Sequence, residues 1–184
     1  MELKTLFTSS ASEITPKLIE WRRHLHSNPE LSYQEVQTMK FICEELKAMG
    51  VEYKSGVGET GVVATVEGKN AGLRTIALRS DHDALPITES NEVEYCSKNN
   101  GVMHACGHDA HTACLLGAAY ILNTHKSEWE GTVRLIFQPG EERLPGGATL
   151  MVKAGVLKNP TPCHIIGQHV FPDLPAGHIG IRSG

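Results

Sequence analysis

Apolar positions along this chain recur at helical spacing in some stretches and as short runs in others. Thr15 and Pro16 read as a cap residue and a first-turn proline, opening a helix that runs to about His26, where Asn28 and Pro29 stop it. Ser32 and Glu35 read as a capping box ahead of a second helix. In that helix Val36, Met39, Cys43, Leu46 and Met49 keep the repeat, and Gly50 ends it. Segments 62–66 and 75–78 are strand-like and joined by a turn over 68–72. Residues 112–124 predict a helix of small side chains packed closely on a neighbour, and 133–137 a mostly apolar buried strand. A loop over 144–147, a short helix over 148–154 and a strand over 164–169 complete the pattern. Strands alternating with helices predict an α/β fold, a layered and largely parallel sheet flanked by helices. In such sheets functional groups gather at the carboxyl ends of strands. The polar clusters of this chain fall there: Asp81-His82-Asp83 after one strand, Glu141-Glu142 after another, His169 at the end of a third.

Composition narrows the partners. The chain has 184 residues, enough for one domain with a real core, and is 40% hydrophobic and 21% charged. Net charge is -4 and the Lys and Arg residues are scattered, so no basic stripe points to nucleic acid. No apolar run is long enough to cross a bilayer, and residues 1–10 lack the apolar core of a signal peptide. Five cysteines without framework spacing argue against a disulfide scaffold, and a reducing cytoplasm is the expected compartment.

Chemistry concentrates in residues 104–111, where three histidines, Cys106 and Asp109 occupy eight positions. Cys106 and His108 at this spacing can ligate one metal or two adjacent ones. They could also form part of a structural zinc site, although no second ligand pair is evident. Glu141-Glu142 could be a solvated pair. Following a buried strand, two carboxylates could instead divide metal binding from proton transfer. Asp81 and Asp83, flanking His82, read as an Asx-type turn leaving the strand or as a carboxylate orienting a ligand histidine. His169 alone is as consistent with a core histidine. A cysteine nucleophile, Cys106 with His108 as base, leaves Glu141-Glu142 unexplained.

These segments resemble a known family. Residues 22–26 with 28–32, 79–87, 103–111, 138–142 and 167–170 are similar, in order and spacing, to the motifs of the M20 metallopeptidases in their amidohydrolase branch. That branch includes aminoacylases, hippurate hydrolases and auxin-conjugate hydrolases. The resemblance implies a zinc-peptidase-like catalytic domain holding two divalent ions, with zinc, manganese or cobalt as candidates. By motif match Cys106, His108, Glu142 and His169 resemble metal ligands, Glu141 the general base and acid, and Asp83 a supporting carboxylate. His82 departs from the pattern, standing where an apolar residue is expected. The resemblance reads residues 1–175 as the N-terminal part of the catalytic domain and 176–184 as the start of a strand leading to a lid domain. It implies hydrolysis of N-acyl amino acids or related conjugates, and a homodimer for the full-length form. The rival expectation is a catalytically silent metal-binding fragment of such an enzyme.

Overall fold

The computed structural model describes residues 2–181. Helix α1 spans Leu3–Ser27 and begins well before Thr15, so Pro16 lies inside it. The sequence reading of a helix start there is therefore corrected. The buried positions Ser10, Ile14, Trp21 and Leu25 continue one stripe through the proline, and packing of that stripe outweighs the lost backbone bond. Helix α2 spans Val36–Ala48. The expected capping box is absent: the N-cap makes no side-chain bond, and the Glu30 carboxylate takes the N–H groups of Gln37 and Thr38 at 3.1 and 2.8 Å. Ser32 and Glu35 are turned to other partners, described below.

Strands β1 (Glu52–Val57), β2 (Gly61–Glu67), β3 (Thr75–Asp81), β4 (Thr132–Gln138) and β5 (His164–Gly167) form one sheet in the order β1-β2-β4-β3-β5. Strands β3, β4 and β5 run parallel, whereas β2 is antiparallel to both β1 and β4. The sheet is mixed, not largely parallel, and β4 inserts between β2 and β3. Strand β1 escaped the sequence reading because nearly all its side chains are exposed, leaving no apolar alternation to detect. Helix α3 spans His108–Thr124 and starts one turn earlier than residues 112–124 suggested. Helix α4 is the short Gly147–Lys153.

Helices α1, α2 and α3 cover one sheet face, where Ile14, Trp21, Ile42, Leu46, Leu116, Leu135 and Phe137 form the larger core. The small residues of α3 allow the close approach expected of them. A Cβ on Gly117 would meet Leu18 of α1 at 2.6 Å. Residues 176–181 are turn and irregular chain in this structure, and 182–184 lie outside the described residues. Among the described residues no helix is long and apolar enough to cross a membrane.

Candidate metal centre

Parallel pairing sets the carboxyl ends of β3 and β4 side by side, with Asp81 opposite Gln138. The chain leaving β3 carries Asp81, His82 and Asp83, all buried, and the chain leaving β4 carries Glu141 and Glu142. Helix α3 enters the same edge. Its N-cap is Gly107 at φ 85°, and a Cβ there would lie 2.2 Å from Val170 Cγ2. Both the left-handed turn and the close approach require glycine between Cys106 and His108.

His108 is buried at the centre. Its Nδ1–H donates to the Asp83 carbonyl at 2.9 Å, with Asp83 Oδ1 at 3.2 Å. That bond assigns the lone pair to Nε2, which has no hydrogen-bond partner among the described residues. Nε2 lies 3.6 Å from Asp81 Oδ2 and 3.9 Å from Glu142 Oε1. His169 shows the same tautomer, since its Nδ1–H donates to the Val170 carbonyl at 2.7 Å. Its Nε2 faces Cys106 Sγ at 3.4 Å. Candidate ligand atoms of Cys106, His108 and His169 lie within 4.8 Å of one another, as do those of His108, Glu141 and Glu142. The structure thus brings all six residues singled out from sequence to one place, Asp83 behind His108 and the other four, Cys106, Glu141, Glu142 and His169, around its Nε2.

Sequence reasoning offered Asp81 and Asp83 together as carboxylates that orient a histidine but missed the pairing of Asp81 with His111. The Val170 N–H donates to His111 Nε2 at 2.9 Å, so His111 Nδ1–H must donate to Asp81 Oδ1, at 2.7 Å. Asp81 therefore orients His111, and His111 pins the backbone next to His169. Asp83 and Asp81 follow one logic: each aspartate near the end of β3 fixes one histidine of α3. The signal was visible as Asp-x-Asp against His-x-x-His, the second spacing placing both rings on one face of a helix, but only with α3 starting at His108.

The charges are strongly perturbed. Burial alone would raise the Asp81 carboxyl, but the His111 N–H, His108 and the Arg79 guanidinium hold it down to about 2. Burial works against Asp83 too, and His108, the Ser32 hydroxyl and the Glu142 and Glu141 backbone N–H groups keep it well below the usual carboxylate range. Cys106 is pushed up to about 11 by burial and by the neighbouring Glu142, Asp81 and Glu141 carboxylates. A nucleophilic thiolate needs the opposite shift, which counts against the cysteine-nucleophile reading. Two more imidazoles lie under the site. His82 and His104 are buried with both ring nitrogens unpartnered among the described residues, and burial lowers each to about 4.

Residues 77–184 match the model of peptidase family M20/M25/M40. The chain belongs to this family. An N-acyl-L-amino acid amidohydrolase of Geobacillus stearothermophilus is 47% identical over 172 residues, which cover 94% of this chain and 46% of that protein. The IAA-amino acid hydrolase ILR1-like 4 of Arabidopsis thaliana is 47% identical over 98% of this chain and 40% of its own length. Among solved structures, the Bacillus subtilis YXEP protein, described as a dinuclear metal binding peptidase of the M20 family, superposes with a TM-score of 0.85 at 44% identity. That superposition covers 98% of this chain and 48% of the YXEP chain. The chain thus spans about half the length of the relatives it matches. The M20 match takes in β3 from Ala77 onward, α3, β4, α4 and β5 and so every residue of the site, but excludes α1, α2, β1 and β2.

Proposed function

We propose that this chain supplies the metal-binding half of an M20 amidohydrolase that cleaves the amide bond of N-acyl amino acids or related conjugates. The observation that carries this reading is His108 Nε2: a buried lone pair without a hydrogen-bond partner among the described residues, facing a thiol, a second imidazole lone pair and two carboxylates. An uncompensated buried acceptor is costly, and a divalent cation is the partner that suits this donor set. Cys106, His108, Glu142 and His169 would hold the ions, with Cys106 as thiolate. Sulfur and imidazole favour zinc, while the carboxylates also admit manganese or cobalt. Bound there, divalent ions polarise an amide carbonyl and make a water easier to deprotonate.

The chain's own residues divide the remaining work. Asp83 keeps the His108 proton on Nδ1, so Nε2 stays available. Glu141, exposed beside Glu142, takes the proton of the attacking water on a carboxylate oxygen and delivers it to the departing amine. The identity with an N-acyl-L-amino acid amidohydrolase and an IAA-amino acid hydrolase supports the substrate class. The complete polypeptide is proposed to be a homodimer. A second reading, metal binding without turnover by these 184 residues alone, is favoured by the half-length coverage of the relatives.

The test separates the two glutamates. In the complete polypeptide Glu141→Gln keeps metal and loses on the order of a hundredfold or more in turnover of N-acyl amino acids. Glu142→Gln instead lowers metal content. Metal analysis and turnover of both variants check this. Equal metal loss in the two would overturn the division, and full turnover by Glu141→Gln would overturn the base.

A further inference from the structure

The loop from Gly140 to Arg143, which carries Glu141 and Glu142, is held from outside the M20-matched segment. Glu35 is wholly buried at the N-terminus of α2, and its Oε1 accepts the Gly140 N–H at 2.8 Å. Its Oε2 accepts the Thr60 hydroxyl at 2.5 Å. Tyr33 grips the other end of the loop, its hydroxyl donating to the Arg143 carbonyl at 2.8 Å. The Tyr33 ring lies against the Cα of Gly140, where a Cβ would meet it at 2.3 Å, and Gly140 is at φ 52°. Ser32 donates to Asp83 Oδ2 at 2.6 Å, the same oxygen that accepts the Glu142 N–H at 3.0 Å. Three residues of one turn, Ser32, Tyr33 and Glu35, therefore reach both ends of the carboxylate loop and the aspartate behind His108.

We propose that the Ser32–Glu35 turn is a positioning device for this loop, with Glu35 as its anchor. Glu141 and Glu142 need a fixed offset from His108, yet they sit on exposed chain that has left the sheet. The backbone N–H groups of Gly140 and Glu142 are two of its fixed points, and both are taken by buried carboxylates, Glu35 and Asp83. Burial pushes the Glu35 carboxyl up, but one oxygen accepts the Gly140 N–H in either protonation state. What matters is an acceptor at that point, not the charge. A buried carboxylate is a costly way to fill core volume, and this one is retained where its acceptors meet the loop. The assignment of a metal-facing task to the loop rests on the function proposed above.

The experiment uses the 184-residue chain and two readouts. The first is amide hydrogen exchange, comparing residues 140–143 with strand β4. The second is cobalt(II) binding, followed by its thiolate charge-transfer absorption. In Glu35→Ala, exchange of 140–143 accelerates tenfold or more while β4 stays protected, and cobalt affinity falls about tenfold, as for other residues that orient ligands. Glu35→Gln restores both, because its amide oxygen still accepts the Gly140 N–H and its NH2 can donate to the Thr60 hydroxyl oxygen. Unchanged exchange at 140–143 in Glu35→Ala would overturn the proposal. So would acceleration spread evenly into β4, which marks a mere core strut. Failure of the unsubstituted chain to bind cobalt would sink the metal reading instead, and exchange alone would then decide the positioning role.

Discussion

Strands β4 and β5 are both parallel neighbours of β3, and both are short runs with apolar centres, yet they have opposite surroundings. Every residue of β4 is buried, covered by helices on one face and by Met151 and Val156 on the other. Every residue of β5 is exposed, with Ile165 and Ile166 each more than half accessible. Each strand nonetheless leads to a piece of the same site, β4 to Glu141-Glu142 and β5 to His169. The site is therefore supported unequally. Its β4 side is anchored by the core and by Ser32, Tyr33, Glu35 and Asp83. Its β5 side hangs on pairing with β3 and on contacts at the site itself, the Val170 N–H to His111, Cys106 to His169 Nε2 and the His169 ring against His111.

The largest effect expected from this inequality is on stability. Phe137→Ala in β4 removes a wholly buried ring and should cost about 3–5 kcal/mol, whereas Ile166→Ala in β5 should cost under about 1 kcal/mol. Urea unfolding of both variants measures the gap, and equal losses would abolish the contrast. Next comes the anchored side of the site. Asp83→Asn weakens the acceptor of three donors, the Ser32 hydroxyl, the Glu142 N–H and His108 Nδ1–H. Metal affinity should fall about 10–100-fold, read by competition with a chelating dye. An unchanged affinity would mean that His108 needs no such support.

How much of this was legible in the sequence follows from the same physics. The apolar strands β2, β3 and β4 stand out because burial imposes a hydrophobic pattern. Strand β1 does not, since an exposed edge strand leaves its side chains free. The six candidate site residues were picked out by their match to the M20 motifs, since spacing alone left His169 as consistent with a core histidine and Glu141-Glu142 as a solvated pair. The pairing of Asp81 with His111 was missed because that tautomer-fixing bond depends on α3 starting at His108, a start set by the left-handed Gly107. Ser32 and Glu35 were misread as a local cap. Their side chains bond residues 51 and 105 positions away, and no local pattern encodes such distant partners.

Acid should act on the buried side as well. His82 and His104 are held neutral, each lowered to about 4 by burial. Their folded values lie below the unfolded value of about 6.5, so the unfolded chain takes up these protons first. The stability they permit is complete above pH ~6.5 and is lost as pH falls toward 4, at up to about 1.4 kcal/mol per pH unit for each histidine. His82→Met, which restores an apolar side chain of similar length, should flatten that slope by about one proton. Urea midpoints from pH 7 to 4.5 check it, and an unaltered slope would show that His82 is not the group responsible.

The smallest effect on folding should come from the exposed strand. Ile165→Lys in β5 replaces an apolar side chain that is 55% accessible, so stability should change by no more than about 0.5 kcal/mol. Self-association should respond instead. Strand β5 is the last strand of the sheet among the described residues, and an uncovered apolar edge is a template for pairing with another chain. A lysine there repels its own copy and resists stacking of edge on edge. Sedimentation of the 184-residue chain at rising concentration should therefore show less association for Ile165→Lys than for the unsubstituted chain, with unfolding midpoints nearly equal. A large stability loss would mean that β5 is packed after all, and the contrast with β4 would fail on the side where it has been drawn most sharply.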